Sequence, residues 1–131
     1  MTPQEFLDFI KADFSLTPAQ ERQFRTLDAL YRDWNAKINV ISRKDIDALY
    51  DHHILHSIAI ARYLLTEPEL LEKFRTACVL DLGTGGGFPG IPLAILFPQA
   101  HFVLCDSVGK KTLVAKAVAD GLGLKNVEVV N

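Results

Sequence analysis

Between Thr17 and Asn35 the apolar residues Phe24, Leu27, Leu30, Tyr31 and Trp34 recur every three or four positions, with charged and polar residues between them. That spacing predicts an amphipathic helix with one buried face, ending near Asn35. Thr17-Pro18-Ala19-Gln20 supplies its start: a capping hydroxyl, a proline where no N–H is needed, and an amide three residues on. Thr2-Pro3-Gln4-Glu5 is the same device and predicts a first helix, with Glu5 placed for a capping box. Ser42 to Asp45 predicts another start, with Ile46 and Leu49 as its apolar stripe. Ile54, Leu55, Ile58, Ala59 and Leu65 predict a further helix that closes before Pro68.

The pattern changes near Ala77. Ala77–Leu82 is a short apolar run ended by glycines, which predicts a buried parallel strand. Ile91–Phe97 suits a short helix stopped by Pro98, and His101–Cys105 a second strand closed by Asp106. Ser107 is placed to cap a helix running to about Asp120, with Gly121 as its left-handed end. Asn126–Val130 predicts a third strand. Strand, helix, strand, helix, strand is the opening of a parallel α/β sheet. The expected organisation is a helical segment over 1–75 and an α/β unit over 76–131. Three parallel strands leave both sheet edges open, so the chain is expected to belong to something longer or to pair with a partner.

Composition adds limits. The 131 residues are 49% apolar and 23% charged, ordinary for a globular chain, and no apolar run approaches a bilayer span. The N-terminus, M-T-P-Q-E-F-L-D-F-I, carries acids where a secretion signal would be basic, so a cytoplasmic location is expected. A net charge of −2 gives no global support to polyanion binding, so any RNA contact needs a local basic patch. Cys78 and Cys105 sit within apolar runs and read as reduced core residues, and Trp34 as a core residue packing the N-terminal helices together. His52 and His56 are one helical turn apart, but no acid or cysteine pattern completes a set, so no metal site is expected.

The chemistry concentrates in C-V-L-D-L-G-T-G-G-G-F-P-G-I-P, from Cys78 to Pro92. Read as Asp81-x-Gly83-x-Gly85-x-Gly87, it is an acid near a strand end followed by glycines that let a ligand approach the backbone. Asp106 ends the next strand 23 residues after Gly83, where a carboxylate can accept both hydroxyls of a ribose. That is the S-adenosylmethionine pattern. Read instead as Gly85-x-Gly87-x-x-Gly90, it matches a dinucleotide fingerprint formally. The first glycine then lies too far past the strand, and Pro89 removes an N–H from the helix start where a pyrophosphate would sit. A structural glycine turn without ligand is the third reading. The residues favour S-adenosylmethionine.

This stretch resembles the D-x-G-T-G-x-G-x-P-G-I-P-L-A-I signature of the bacterial ribosomal RNA small-subunit methyltransferase G family, also called glucose-inhibited division protein B. Three further segments are similar, in family order: W-N-A-K-I-N-V (Trp34–Val40), H-I-L-H-S (His53–Ser57) and C-D-S-V-G-K-K (Cys105–Lys111). His56 departs from the pattern, where the family has aspartate. The resemblance implies a Rossmann-like S-adenosylmethionine-dependent methyltransferase fold, here its first three strands preceded by an N-terminal helical segment. It implies methyl transfer to guanine N7 of 16S ribosomal RNA, with that RNA or the small ribosomal subunit as partner. The residues expected at the cofactor are Asp81, Gly83, Thr84, Gly85, Gly87, Phe88, Asp106 and Ser107. Those expected toward RNA are Arg43, Lys44, His53, Lys110 and Lys111. A binding module without turnover and a dinucleotide-dependent oxidoreductase are the rival functions.

Overall fold

The computed structural model describes residues 1–131. Five helices precede the first strand: α1 (Pro3–Ile10), α2 (Pro18–Lys37), α3 (Arg43–Ile46), α4 (Leu55–Leu65) and α5 (Pro68–Phe74), with a π-helical turn at Tyr50–Ile54 leading into α4. Then β1 (Cys78–Leu82), α6 (Gly90–Leu96), β2 (His101–Cys105), α7 (Gly109–Gly121) and β3 (Val127–Val130) alternate. The three strands form one parallel sheet in the order β1-β2-β3, with Cys78 opposite His101 and Phe102 opposite Val127.

The caps explain where the helices begin. Thr17 accepts from the Gln20 N–H while Gln20 returns a bond to the Thr17 N–H, a complete capping box. Thr2 makes only its own half, accepting from Glu5 N–H. Helix α2 runs to Lys37, beyond the expected stop at Asn35. Asn35 lies within the helix, and its side-chain oxygen accepts the N–H groups of Val40 and Ile41, each at 2.9 Å. Helix α5 lacks a clear sequence signal, because only Leu71 and Phe74 mark its inner face and Pro68, the expected stop, instead opens it.

One continuous hydrophobic cluster runs from Phe6, Phe24 and Leu27 through Ile54 and Ile58 to Ile91, Phe102, Leu104 and Val118. The N-terminal helices and the sheet unit therefore share a core. Gln20 is buried with its amide donating to the Ile95 carbonyl, tying the start of α2 to the end of α6. Asn126 does similar work for the sheet, its amide nitrogen lying within 3.1 Å of the Ala94, Phe97 and Ala100 carbonyls.

Strand alternation divides the sheet into two unlike faces. Val79, Phe102, Leu104, Val127 and Val129 pack toward the core. Cys78, Leu80, Leu82 and Val130 turn the other way and are exposed, Leu80 by 62% and Leu82 by 77%. This corrects the expectation for the cysteines: Cys78 is exposed and Cys105 half-buried, both free thiols, because they fall on the uncovered side of the pleat. The end of α7 is also corrected. Gly121 lies in the helix, where an added Cβ would come within 3.0 Å of Leu30 Cδ2, and the left-handed residue is Gly123 at φ +70°. At the other end α7 starts at Gly109, so Ser107 is too early to cap it. Trp34 is half-buried, packs against the hydrophobic cluster, and lines a hollow together with Thr112, Leu113 and Lys116 of α7.

Candidate functional site

The glycine loop leaves β1 at the C-terminal edge of the sheet, the edge at which parallel α/β sheets bind ligands. Gly83, Gly85 and Gly87 have φ of +76°, +59° and +116°, conformations that side-chain-bearing residues rarely adopt. Their surroundings differ. An added Cβ at Gly83 or Gly85 would meet nothing within 4 Å, so these two form an open cradle. At Gly87 it would come within 2.5 Å of Ile91 Cδ1 and 3.0 Å of the Tyr31 hydroxyl. The first two glycines keep space for a ligand, and the third serves packing.

Asp81 shares the covered face of β1 with Val79, and so points beneath the start of α6. Its Oδ2 accepts the Thr84 hydroxyl at 2.6 Å and the Gly90 N–H at 3.0 Å. Burial pushes its carboxyl above the ordinary value, opposed by these two bonds and reinforced by the negative charge of Asp106. The acid thus folds the loop back onto its own strand. Gly90 permits the approach, since a Cβ there would lie 2.8 Å from Asp81 Oδ2 and 2.7 Å from Leu104 Cδ1.

Asp106 follows β2 directly and faces the cradle. Oδ1 accepts the Val108 N–H and Oδ2 the Gly85 N–H, both at 2.9 Å. A carboxylate offers about four lone-pair sites, so about two remain for a diol. The Val108 and Gly85 bonds hold its carboxyl below the ordinary 3.8. A lowered folded value means that ionised Asp106 favours the fold above the unfolded value, and that this contribution fades as pH falls through the lower folded one. Urea midpoints measured from pH 6 downward should therefore decline less steeply in Asp106→Asn than in the parent below about pH 4. Parallel declines would show that these bonds do not favour the ionised form.

The N-terminal helices brace the loop from behind. The buried Tyr31 hydroxyl of α2 donates to the Gly86 carbonyl at 2.8 Å, and its ring stacks on Phe88 with centroids 4.9 Å apart. Val40, placed by Asn35, lies where a Cβ on Gly86 would be 3.2 Å from its Cγ2. Tyr31, Asn35 and Val40 escaped the sequence reading as site residues. The signal was there in W-N-A-K-I-N-V, whose asparagine preceding a turn marks a side chain that can satisfy loop N–H groups.

The expected residues are only partly brought together. Asp81 with Thr84, and Asp106 with Gly85, form two adjacent hydrogen-bonded pairs around the cradle, with exposed Ser107 at its rim. Lys110 and Lys111 lie in the first turn of α7, and the Lys111 charge reaches Asp106. Phe88 turns from the cradle toward Tyr31 and His53, the latter ring centroid 5.1 Å away. Arg43 and Lys44 are exposed on α3, whose Asp45 accepts from His52 at 3.1 Å. The start of α6 offers a pyrophosphate nothing: Pro89 and Pro92 lack an N–H, and those of Gly90 and Ile91 go to Asp81 and the Gly87 carbonyl.

Residues 20–131 match the family described as rRNA small subunit methyltransferase G. The chain is 60% identical over 113 residues to the ribosomal RNA small subunit methyltransferase G of Bacteroides fragilis, covering 86% of this chain and 51% of that protein. The protein of that name from Porphyromonas gingivalis is 60% identical over 116 residues, covering 88% of this chain and 49% of its own length. That from Flavobacterium psychrophilum is 60% identical over 114 residues, with 86% and 51% covered. The chain spans about half the length of the curated relatives it matches.

Proposed function

The chain belongs to the rRNA small subunit methyltransferase G family, and from that membership we propose that it binds S-adenosylmethionine and serves methylation of guanine N7 in 16S ribosomal RNA. The observation that carries the cofactor is the open cradle at Gly83 and Gly85, held against the Asp106 carboxylate. The residues fit the group: Gly83 and Gly85 leave room for it, Asp106 keeps lone pairs for ribose hydroxyls, and Ser107 stands exposed beside them. Asp81, Thr84, Gly87 and Phe88 serve the same site by fixing the loop. S-adenosylmethionine, when bound, supplies a methyl group activated by its sulfonium.

Guanine N7 carries a free lone pair and no proton, so no general base is required of the chain. Alignment is the task, and positioning alone is worth about 7–11 kcal/mol in favourable cases. The chain meets it with a loop fixed at its far end by Asp81 to Gly90 and at its middle by Tyr31 to Gly86. N7 faces the deep groove of an RNA helix, so the base has to be splayed out, with Arg43, Lys44, Lys110 and Lys111 available to phosphates. The partner is then 16S ribosomal RNA or the small ribosomal subunit, in the cytoplasm. No helix is long and apolar enough to cross a membrane.

Isothermal calorimetry with S-adenosylhomocysteine tests the cofactor. Saturable binding in the micromolar to millimolar range is expected, reduced in Asp106→Ala. Absence of heat with it, alongside stabilisation by NAD, would transfer the site to a dinucleotide.

A further inference from the structure

Beside the glycine loop lies a cavity of about 370 Å³ whose wall includes His52, His53, His56, Ser57, Phe88 and Pro89. It is of ligand-binding size. Phe88 and Pro89 follow Gly87 directly, so cavity and cradle share one stretch of backbone. The rings of Tyr31, Phe88 and His53 form a column, with centroids 4.9 Å and then 5.1 Å apart and planes inclined by 26° and 34°. Tyr31, tied to Gly86, anchors that column and so sets the plane of His53.

The two ring nitrogens of His53 are unlike. Nε2 is sealed from solvent without a hydrogen-bond partner, 3.9 Å from Asp45 Oδ2. Asp45 is held ionised below its ordinary value, chiefly by the His52 bond, so its charge favours the proton on Nε2. Nδ1, which has no hydrogen-bond partner, is then a bare acceptor on a residue that lines the cavity.

We infer that this cavity receives the target guanine, with His53 Nδ1 accepting a hydrogen bond from the N1–H and 2-amino edge of the base. The inference rests on the methyltransferase reading and adds the residue that reads the base. Guanine presents donors on that edge, whereas adenine carries a bare N1 there. An acceptor on this edge leaves N7, on the opposite side of the purine, free for the methyl group.

The same bond assists the reaction. As N7 gains the methyl, the ring becomes cationic and its N1–H more acidic, so the bond to a neutral imidazole strengthens toward the transition state. A protonated His53 would lose the acceptor and repel the cationic ring. Burial first, then the charges of His52 and His56, hold His53 below its ordinary 6.5, with Asp45 opposing, so the ring is neutral at pH 7.

The experiment is NMR titration of the chain with guanosine monophosphate, following the His53 and Phe88 ring signals. Adenosine monophosphate, inorganic phosphate and S-adenosylhomocysteine are separate arms. Guanosine monophosphate should shift both rings where phosphate does not, and bind more tightly than adenosine monophosphate. His53→Ala should weaken it by about tenfold, the scale of one hydrogen bond. His53→Asn, whose amide oxygen stands where Nδ1 was, should recover much of the loss. Affinity should also fall in the parent, but not in His53→Asn, as pH drops through the lowered range in which His53 gains its proton, a dependence that a packing role would not give. Equal shifts by inorganic phosphate, equal affinity for adenosine monophosphate, or undiminished binding in His53→Ala each overturn the inference. Binding of S-adenosylhomocysteine without guanosine monophosphate would overturn it while leaving the cofactor reading intact. Guanosine monophosphate without S-adenosylhomocysteine would instead remove the methyltransferase reading on which it rests.

Discussion

Gly87→Ala is expected to destabilise the fold by about 2–4 kcal/mol and to remove measurable binding of S-adenosylhomocysteine. Two costs combine. At φ +116° an alanine backbone is strained, and the new methyl would sit 2.5 Å from Ile91 Cδ1 and 3.0 Å from the Tyr31 hydroxyl. Ile91 is fully buried, so it has little room to retreat. Relief has to come from the loop, which would swing Gly85 away from Asp106. Gly83→Ala is the control, since its added Cβ meets nothing within 4 Å. It should carry the backbone strain alone, about 1 kcal/mol or slightly more. Urea denaturation of both variants reads the difference in stability, and calorimetry with S-adenosylhomocysteine is read on Gly87→Ala alone, because a Cβ at Gly83 would itself enter the cradle. Equal losses would mean that packing at Gly87 contributes nothing.

Asp81→Ala should cost a similar amount, about 2–3 kcal/mol, by a different route. It strips partners from the Gly90 N–H and the Thr84 hydroxyl, both on buried residues. An unpaired buried donor is more costly than the bond it replaces is strong. Asp81→Asn keeps an oxygen that can accept both bonds, so it should retain most of the stability and part of the cofactor affinity. It also removes the titration that burial has raised. If Asp81→Asn were as stable as the parent yet bound no S-adenosylhomocysteine, the carboxylate charge would be acting on the ligand directly, and loop bracing would be its lesser role.

The loop and the strands that carry it were legible because their signals are local. A glycine run after a short apolar strand fixes the turn, and Asp106 ends the next strand wherever the chain leads. Thr17 and Gln20 were legible for the same reason, each lying within one helical turn of the other. What escaped depends on partners distant in sequence. Tyr31 reads as one more apolar residue on the α2 face, and only packing puts its hydroxyl against Gly86, 55 residues away. Phe88 is expected at the cofactor from the family resemblance alone, and that its ring packs between Tyr31 and His53 is visible only in the fold. The cysteines misled in the opposite sense, since an apolar strand states that its residues are apolar and not which face is covered. Gly121 does end α7, but without the left-handed conformation expected of it: the Cβ it lacks leaves room for Leu30, which lies on another helix.

Trp34 is the chain's single tryptophan. It sits at the seam between α2 and α7, with the Lys37 ammonium 4.6 Å from its ring centroid and Asn131 lining the same hollow. Its emission is therefore a built-in optical gauge of how the helical segment rides on the sheet unit. A positive charge over one face and half-exposure to water make that fluorescence responsive to small separations of the seam. Every titration and unfolding curve can be followed at this one position without attaching a dye.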